Sequence, residues 1–274
     1  MAKVCVFCGG TPLTKEHVLP RWLKVAFDPT VRRHRYVRLS VDTVRHHEAP
    51  PLNEQVKVVC SDCNSGWMNQ LEENVRRFLP DLIRGNRCEL DAGAQRALSA
   101  WSLKTMLMFQ HTHPADVRGV IPAADFRTFH EVREPSRSML GRLGFMNHPP
   151  DDSVPLVDTM CQGYATTDAS GVAWISTLKI GCMVVQIVRA PDVAEGKRLA
   201  PFEVLPSLHP MWPTEELIKW PLPAAIPYEQ MVDLGHPDGL SLTLLPARAA
   251  TRSHLHYRGG YRQRDLGFTG SEAK

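Results

Sequence analysis

The sequence lacks long apolar runs, a marked excess of one charge and an even number of cysteines, and each lack excludes a class of protein. No run approaches the ~18–20 apolar residues that a membrane-spanning helix needs. Seven cysteines in 274 residues argue against a disulfide framework. The first residues carry one lysine and a short apolar stretch before Gly9 and Gly10, unlike a secretory signal. We therefore expect a protein of the reducing cytoplasm with no membrane partner.

The net charge is small, but it is unevenly distributed. The 32 Lys and Arg against 29 Asp and Glu leave +3. Residues 1–88 hold 14 basic and 9 acidic residues, or +5, and the remainder holds 18 and 20, or −2. A basic N-terminal third is typical of a surface that binds phosphate, although a solvated basic face has the same composition. The candidates for phosphate contacts lie in one Arg-rich segment: Arg32, Arg33, Arg35 and Arg38.

The strongest pattern is a pair of Cys-x2-Cys turns, here called knuckles, formed by Cys5 with Cys8 and by Cys60 with Cys63. Each knuckle directs two thiolates at one point, and two knuckles supply the tetrahedral four-sulfur site that zinc favours. Four protein ligands leave no position for water, so this zinc is expected to be structural. The interval between the knuckles exceeds the usual ~15–20 residues, so the ligands bracket an inserted segment.

Hydrophobic periodicity predicts an α+β fold. Strands are expected where β-branched residues dominate, at 56–59, 172–178 and 182–188, the last two as a hairpin. Helices are expected from about Asn64, with an interruption at Pro80, and at 92–110 and 123–133. The remaining segments are predicted to be irregular at 28–54, loop-rich at 191–246 and a mobile tail from Gly259.

A second motif lies in the inserted segment, where Glu16 and His17 are followed by two apolar residues and Pro20. Asn64 directly follows the second knuckle. Knuckle, Glu-His, knuckle and Asn, in this order, resemble the HNH endonuclease family over residues ~3–80. Members share a ββα-metal nuclease module, often with a four-cysteine zinc site. The resemblance implies an enzyme that hydrolyses phosphodiester bonds of nucleic acid, with DNA the expected substrate, in phage defence or a mobile element.

The resemblance also implies a role for each motif residue. His17 matches the general base, since a neutral imidazole accepts a proton from water at physiological pH. Glu16 and Asn64 match the ligands of one catalytic divalent cation, Mg²⁺ or Mn²⁺, because both offer oxygen atoms. Asn64 also suits a helix N-cap, and the two roles are compatible.

The motif departs from the family pattern at its middle residue. The family usually has Asn about five positions before the second knuckle, where it orients the histidine. Here Gln55 stands at that position and Asn53 two residues earlier. Either side chain, or a backbone carbonyl, is a candidate partner for the His17 ring. Two alternatives to a nuclease therefore stay open: a non-catalytic zinc-ribbon module that binds nucleic acid or protein, and a nuclease-like domain that has lost activity.

The patterns divide the chain into two parts. Residues 1–86 are expected to form the HNH module with its structural zinc. Residues 87–274 are expected to form an α+β region of unknown role. That second region is a candidate for positioning nucleic acid, for homo-oligomerisation or for binding a partner protein.

Overall fold

The computed structural model describes eleven stretches of the chain, which together carry twelve strands and five α-helical segments: residues 3–27, 34–39, 44–49, 52–112, 121–147, 157–165, 172–189, 207–213, 216–227, 230 and 253–258. The described stretches contain both helices and strands, which agrees with the prediction of a mixed helix-and-strand fold. None of the helices in these stretches is both long and apolar enough to cross a bilayer.

The N-terminal part is built on a two-stranded antiparallel sheet, in which β1 (Leu13–His17) pairs with β4 (Gln55–Cys60). Strand β4 confirms the strand predicted at 56–59 from the alternating, β-branched sequence there. The first knuckle is joined to β4 by the hydrogen bond from Val6 N–H to Val58 O, at 3.0 Å. This sheet therefore places both knuckles at one end and the Glu-His motif on the adjoining strand.

A distorted helix follows β4. It begins as α1 (Ser61–Cys63), continues through a π-helical stretch (Asn64–Met68) and becomes α2 (Asn69–Val75). Gly66 departs from helical geometry, with φ −90° and ψ −110°. The helix thus starts three residues before Asn64, which lies inside the helical segment and is not its N-cap.

Three further helices confirm the periodicity in the sequence. Helix α3 (Leu79–Arg84) restarts after a break, with Pro80 in its first turn, where a missing N–H costs nothing. Helix α4 (Ala92–Phe109) has Asp91 as its N-cap, whose carboxylate accepts the Ala94 N–H at 2.7 Å. Helix α5 (Ala123–Val132) agrees with the third predicted helix.

The larger sheet has eight antiparallel strands in the order β10-β6-β9-β8-β7-β12-β2-β3. Strands β8 and β9 form the predicted hairpin. The eight strands are β2 (His34–Leu39), β3 (Val44–Ala49), β6 (Met139–Phe145), β7 (Val157–Ala165), β8 (Val172–Ile180), β9 (Met183–Arg189), β10 (Leu208–Trp212) and β12 (Ser253–Arg258). A separate pair joins β5 (Cys88–Leu90) to β11 (Ile218–Trp220).

The prediction of an irregular segment at 28–54 is wrong for 34–39 and 44–49, which are strands, and correct for 52–54. Strands β2 and β3 form an antiparallel hairpin, and β2 pairs on its other side with β12, near the end of the chain. Arg- and His-rich strands have weak intrinsic propensity, and long-range pairing overrides it. In the stretch predicted to be loop-rich, the short strands β10 and β11 are described. The tail from Gly259 lies outside the described residues.

Helix α4 lies at the centre of the core. It packs against α2 on one side and against β8 and β10 of the large sheet on the other. Nearly all of its side chains from Ala94 to Phe109 are buried. One buried cluster includes residues from the knuckles, α2, α4 and β9. The N-terminal sheet and its helix are therefore supported by residues far along the chain, and the division at residue 86 stays a prediction.

Candidate functional site

The two knuckles bring four cysteines together. The sulfur atoms of Cys5, Cys8, Cys60 and Cys63 all lie within 4.8 Å of one another. Cys8 Sγ is 3.5 Å from Cys60 Sγ and 3.5 Å from Cys63 Sγ. Zinc–sulfur bonds of about 2.3 Å in a tetrahedron separate the sulfur atoms by about 3.8 Å. The cluster therefore has the size and donor set of a zinc site.

The backbone around the first knuckle also suits a metal. Gly9 turns the chain at φ 75°, and Gly10 N–H donates to Cys8 Sγ at 3.3 Å. A Cβ at Gly10 would lie 3.2 Å from Cys8 Sγ, tighter than an ordinary contact. Burial acts to raise the pKa of the Cys5 thiol, but backbone hydrogen bonds, that of Cys8 foremost, hold this pKa at about 7. Burial raises the pKa of the Cys8 and Cys63 thiols instead, so among these three Cys5 is the residue whose thiolate, the form that zinc binds, is favoured near neutral pH.

Aromatic packing covers the knuckle. The Trp67 ring meets Phe7 edge to face at 4.9 Å and Phe129 of α5 at 5.6 Å. The guanidinium of Arg133 lies 4.2 Å from the centre of the Trp67 ring, within cation–π range. Residues from α5 thus hold the cysteine cluster in place.

The Glu-His motif lies on β1, and Asn64 of the helical segment after β4 is hydrogen-bonded to the same strand. Asn64 Nδ2 donates to Thr14 Oγ1 at 3.1 Å and to the Lys15 carbonyl at 3.3 Å. Both bonds are donated by the amide nitrogen of Asn64, and its carbonyl oxygen takes part in neither. Asn64 is thereby joined to the two residues that precede Glu16. Oxygen donors from Glu16 and Asn64 fit the preference of Mg²⁺.

His17 is oriented by Gln55. The two residues lie opposite each other in the β1–β4 ladder, and Gln55 Nε2 is 2.7 Å from His17 Nε2. Asn53 is exposed and precedes the strand. A bulge between Thr14 and Glu16 produces this register, because an unbroken ladder would set His17 opposite Val56. Of the two candidate side chains, Gln55 is the one that contacts the ring.

The electrostatic setting keeps His17 neutral. Burial, and then the nearby charges of Arg21 and Lys24, lower its pKa below the usual histidine value, while the carboxylate of Glu72 has the opposite effect. A neutral ring can accept a proton at physiological pH. The ring is partly exposed, as a group that meets solvent and substrate requires.

Glu16 faces the interior, where it meets a lysine that the sequence motif does not contain. Lys104 of α4 has a fully buried side chain, and its Nζ lies 3.5 Å from Glu16 Oε1 and 2.9 Å from Glu72 Oε1. Burial raises the pKa of Glu16, Lys104 opposes that rise, and Glu72 adds to it. The sequence contains one indication of a special role for Lys104, which is that it is the single charged residue in the stretch 97–109.

The arginines proposed for phosphate contacts are only partly described. Arg32 and Arg33 lie outside the described residues. Arg35 and Arg38 belong to β2, three positions apart.

Comparisons with protein-family models, with curated proteins and with solved structures found no match to this chain. The cysteine cluster and the geometry of the β1–β4 pair are the features of this chain that bear most directly on its chemistry.

Proposed function

We propose that this protein is a metal-dependent endonuclease that hydrolyses phosphodiester bonds, with DNA as the expected substrate. One observation supports it above the others. A single short strand carries Glu16 and His17, Asn64 is hydrogen-bonded to the same strand, and a four-cysteine cluster lies at its end. These three features together support an HNH-type module.

In this proposal His17 is the general base. In the structure the Gln55 amide nitrogen faces His17 Nε2 at 2.7 Å; the mechanism requires the Gln55 amide turned so that its Oε1 accepts from Nε2–H, which leaves Nδ1 to take a proton from the attacking water. The lowered pKa of His17 keeps Nδ1 available at neutral pH. Glu16 and Asn64 hold the divalent cation. When bound, that cation stabilises the charge on the phosphate and on its leaving oxygen.

The zinc site has a supporting role in the proposal. It would fix the end of β4, where Leu13 pairs with Cys60, against the first knuckle; the bulge between Thr14 and Glu16 then brings His17 opposite Gln55. Its four ligands leave no open position, so it takes no part in the chemistry.

The test is cleavage of supercoiled plasmid by the full chain with Mg²⁺ or Mn²⁺, compared with His17→Ala. Loss of a general base lowers a rate by about 10²–10⁴-fold. His209→Ala is a matched control, since His209 is also a partly exposed strand histidine but lies on β10. We expect nicking by the wild type and His209→Ala, none by His17→Ala, and the same zinc content in all three. Equal cutting by His17→Ala would remove the proposed mechanism.

A non-catalytic zinc-ribbon module that binds nucleic acid or protein is the second candidate. The cysteine cluster favours it, because that cluster alone satisfies the needs of such a module. It predicts DNA retention in a mobility-shift assay without any metal-dependent cleavage, and unchanged retention in His17→Ala.

A further inference from the structure

We propose that Lys104 is a positioning residue for the nuclease site, whose ammonium group holds the Glu16 carboxylate where it binds the catalytic cation. This inference rests on the proposed function, since it concerns how the same site is assembled. It adds a residue from α4, outside the part of the chain that resembles HNH nucleases.

The contacts define a three-residue bridge between three elements. Lys104 comes from α4, Glu72 from α2 and Glu16 from β1. The lysine side chain is 0 % exposed, and the Glu16 and Glu72 side chains are 9 % and 14 % exposed. The shorter contact, 2.9 Å to Glu72, anchors the ammonium group, and the contact to Glu16, 3.5 Å, restrains that carboxylate. Lys104 therefore ties the strand of the Glu-His motif to the core.

Stability alone does not require a lysine at this position. Buried ion pairs are often replaced by apolar residues of similar size with no loss of stability. The neighbours Leu103, Met106 and Leu107 on α4 are buried and apolar. A methionine would pack there equally well if Glu72 were uncharged. The charge at position 104 therefore calls for a reason beyond packing, and the Glu16 carboxylate supplies one.

The charges leave room for a cation. With all three groups ionised, two carboxylates and one ammonium give a net charge of −1 beside His17 and Asn64. Lys104 thus orients Glu16 without cancelling the negative charge of the pair. A divalent cation held by Glu16 and Asn64 compensates the remaining charge.

The decisive variant is Lys104→Met/Glu72→Gln, made in the full, zinc-loaded chain. It removes one positive and one negative charge, so the net charge of the three positions stays at −1 while the contact that restrains Glu16 is lost. Mn²⁺ binding is measured from the electron paramagnetic resonance of free Mn²⁺, and plasmid cleavage is measured across a Mn²⁺ titration. We expect Mn²⁺ affinity about 10–100-fold weaker than in the wild type, the usual effect of losing a group that supports a metal ligand.

The comparison variant is Glu72→Gln alone, which changes the net charge of the three positions from −1 to 0. It keeps the contact between Lys104 and Glu16, and we expect it to lose less Mn²⁺ affinity than the double variant. Urea unfolding checks that each variant is folded. If Lys104→Met/Glu72→Gln does not fold, Lys104→Leu/Glu72→Gln replaces it in the comparison. Wild-type Mn²⁺ affinity and cleavage in a folded double variant would overturn the role of Lys104. Failure of the proposed function is distinct, because wild type and His17→Ala would then cut equally or not at all.

Discussion

The four-cysteine cluster, if it binds zinc as proposed, is expected to have a large effect on stability. The perturbation is Cys60→Ser/Cys63→Ser, which removes the second knuckle and with it the link between the two ends of the inserted segment. Cys8 and Cys60 are 52 residues apart in sequence. Holding the ends of such a loop together removes about 4 kcal/mol of chain entropy from the unfolded state.

A contribution of about 4 kcal/mol is large compared with the total free energy of unfolding. Domains are stable by about 5–15 kcal/mol, so the variant is expected to lose a quarter or more of its free energy of unfolding. With a urea m-value of about 3 kcal/mol per molar, the unfolding midpoint should fall by between about 1 and 2 M. The same fall is expected when a chelator strips the wild type.

The assay is urea unfolding followed by tryptophan fluorescence, with zinc measured by atomic emission. Cys88→Ser/Cys182→Ser is the matched control, because both cysteines lie outside the cluster. The wild type and the control should each carry one zinc per chain, and the knuckle variant none. Equal midpoints for the two double variants, or a wild type purified without zinc, would refute the reasoning.

Three further predictions concern the proposed general base and the core. Because the pKa of His17 lies below the usual ~6.5, and the proposed mechanism needs the neutral ring, kcat/KM should rise with pH with a midpoint below pH 6.5; a midpoint above that value contradicts this. Gln55→Ala should cut about tenfold more slowly, in line with loss of the residue that orients His17, whereas Asn53→Ala should cut normally. The reverse order would show that Asn53, and not Gln55, orients His17. Asp125 Oδ2 accepts the buried indole N–H of Trp174 at 2.7 Å, so Asp125→Ala should cost about 1–3 kcal/mol in urea unfolding, and Asp125→Asn, which keeps an acceptor, should cost less.

The parts of the fold predicted from sequence are those whose signal is local. The two knuckles carry their spacing in the sequence, and α4 and α5 carry helical periodicity. The β8–β9 hairpin follows from two β-branched runs around a turn at Gly181. Each of these depends on residues close in the chain, so no knowledge of the tertiary structure was needed.

The parts that sequence reasoning missed depend on distant contacts. The choice between Gln55 and Asn53 follows from a one-residue bulge in the β1–β4 pairing, which no local pattern encodes. Lys104 becomes informative only when α4 packs beside β1 and α2. The β2–β3 hairpin was missed because its outer partner, β12, is more than two hundred residues away.

That long-range pairing has a consequence for how the chain is made. Leu255 pairs with Arg38, and at about 5–20 residues per second a ribosome needs roughly 10–40 s to synthesise the 217 residues between them. For that time β2 exists without its neighbour, and its open edge invites pairing with other chains. A protein truncated before Ser253 would keep that condition permanently, with the facing edges of β2 and β7 both unpaired. Production of this protein is thus expected to be more sensitive to premature termination after β7 than the N-terminal position of its cysteine cluster and Glu-His motif suggests.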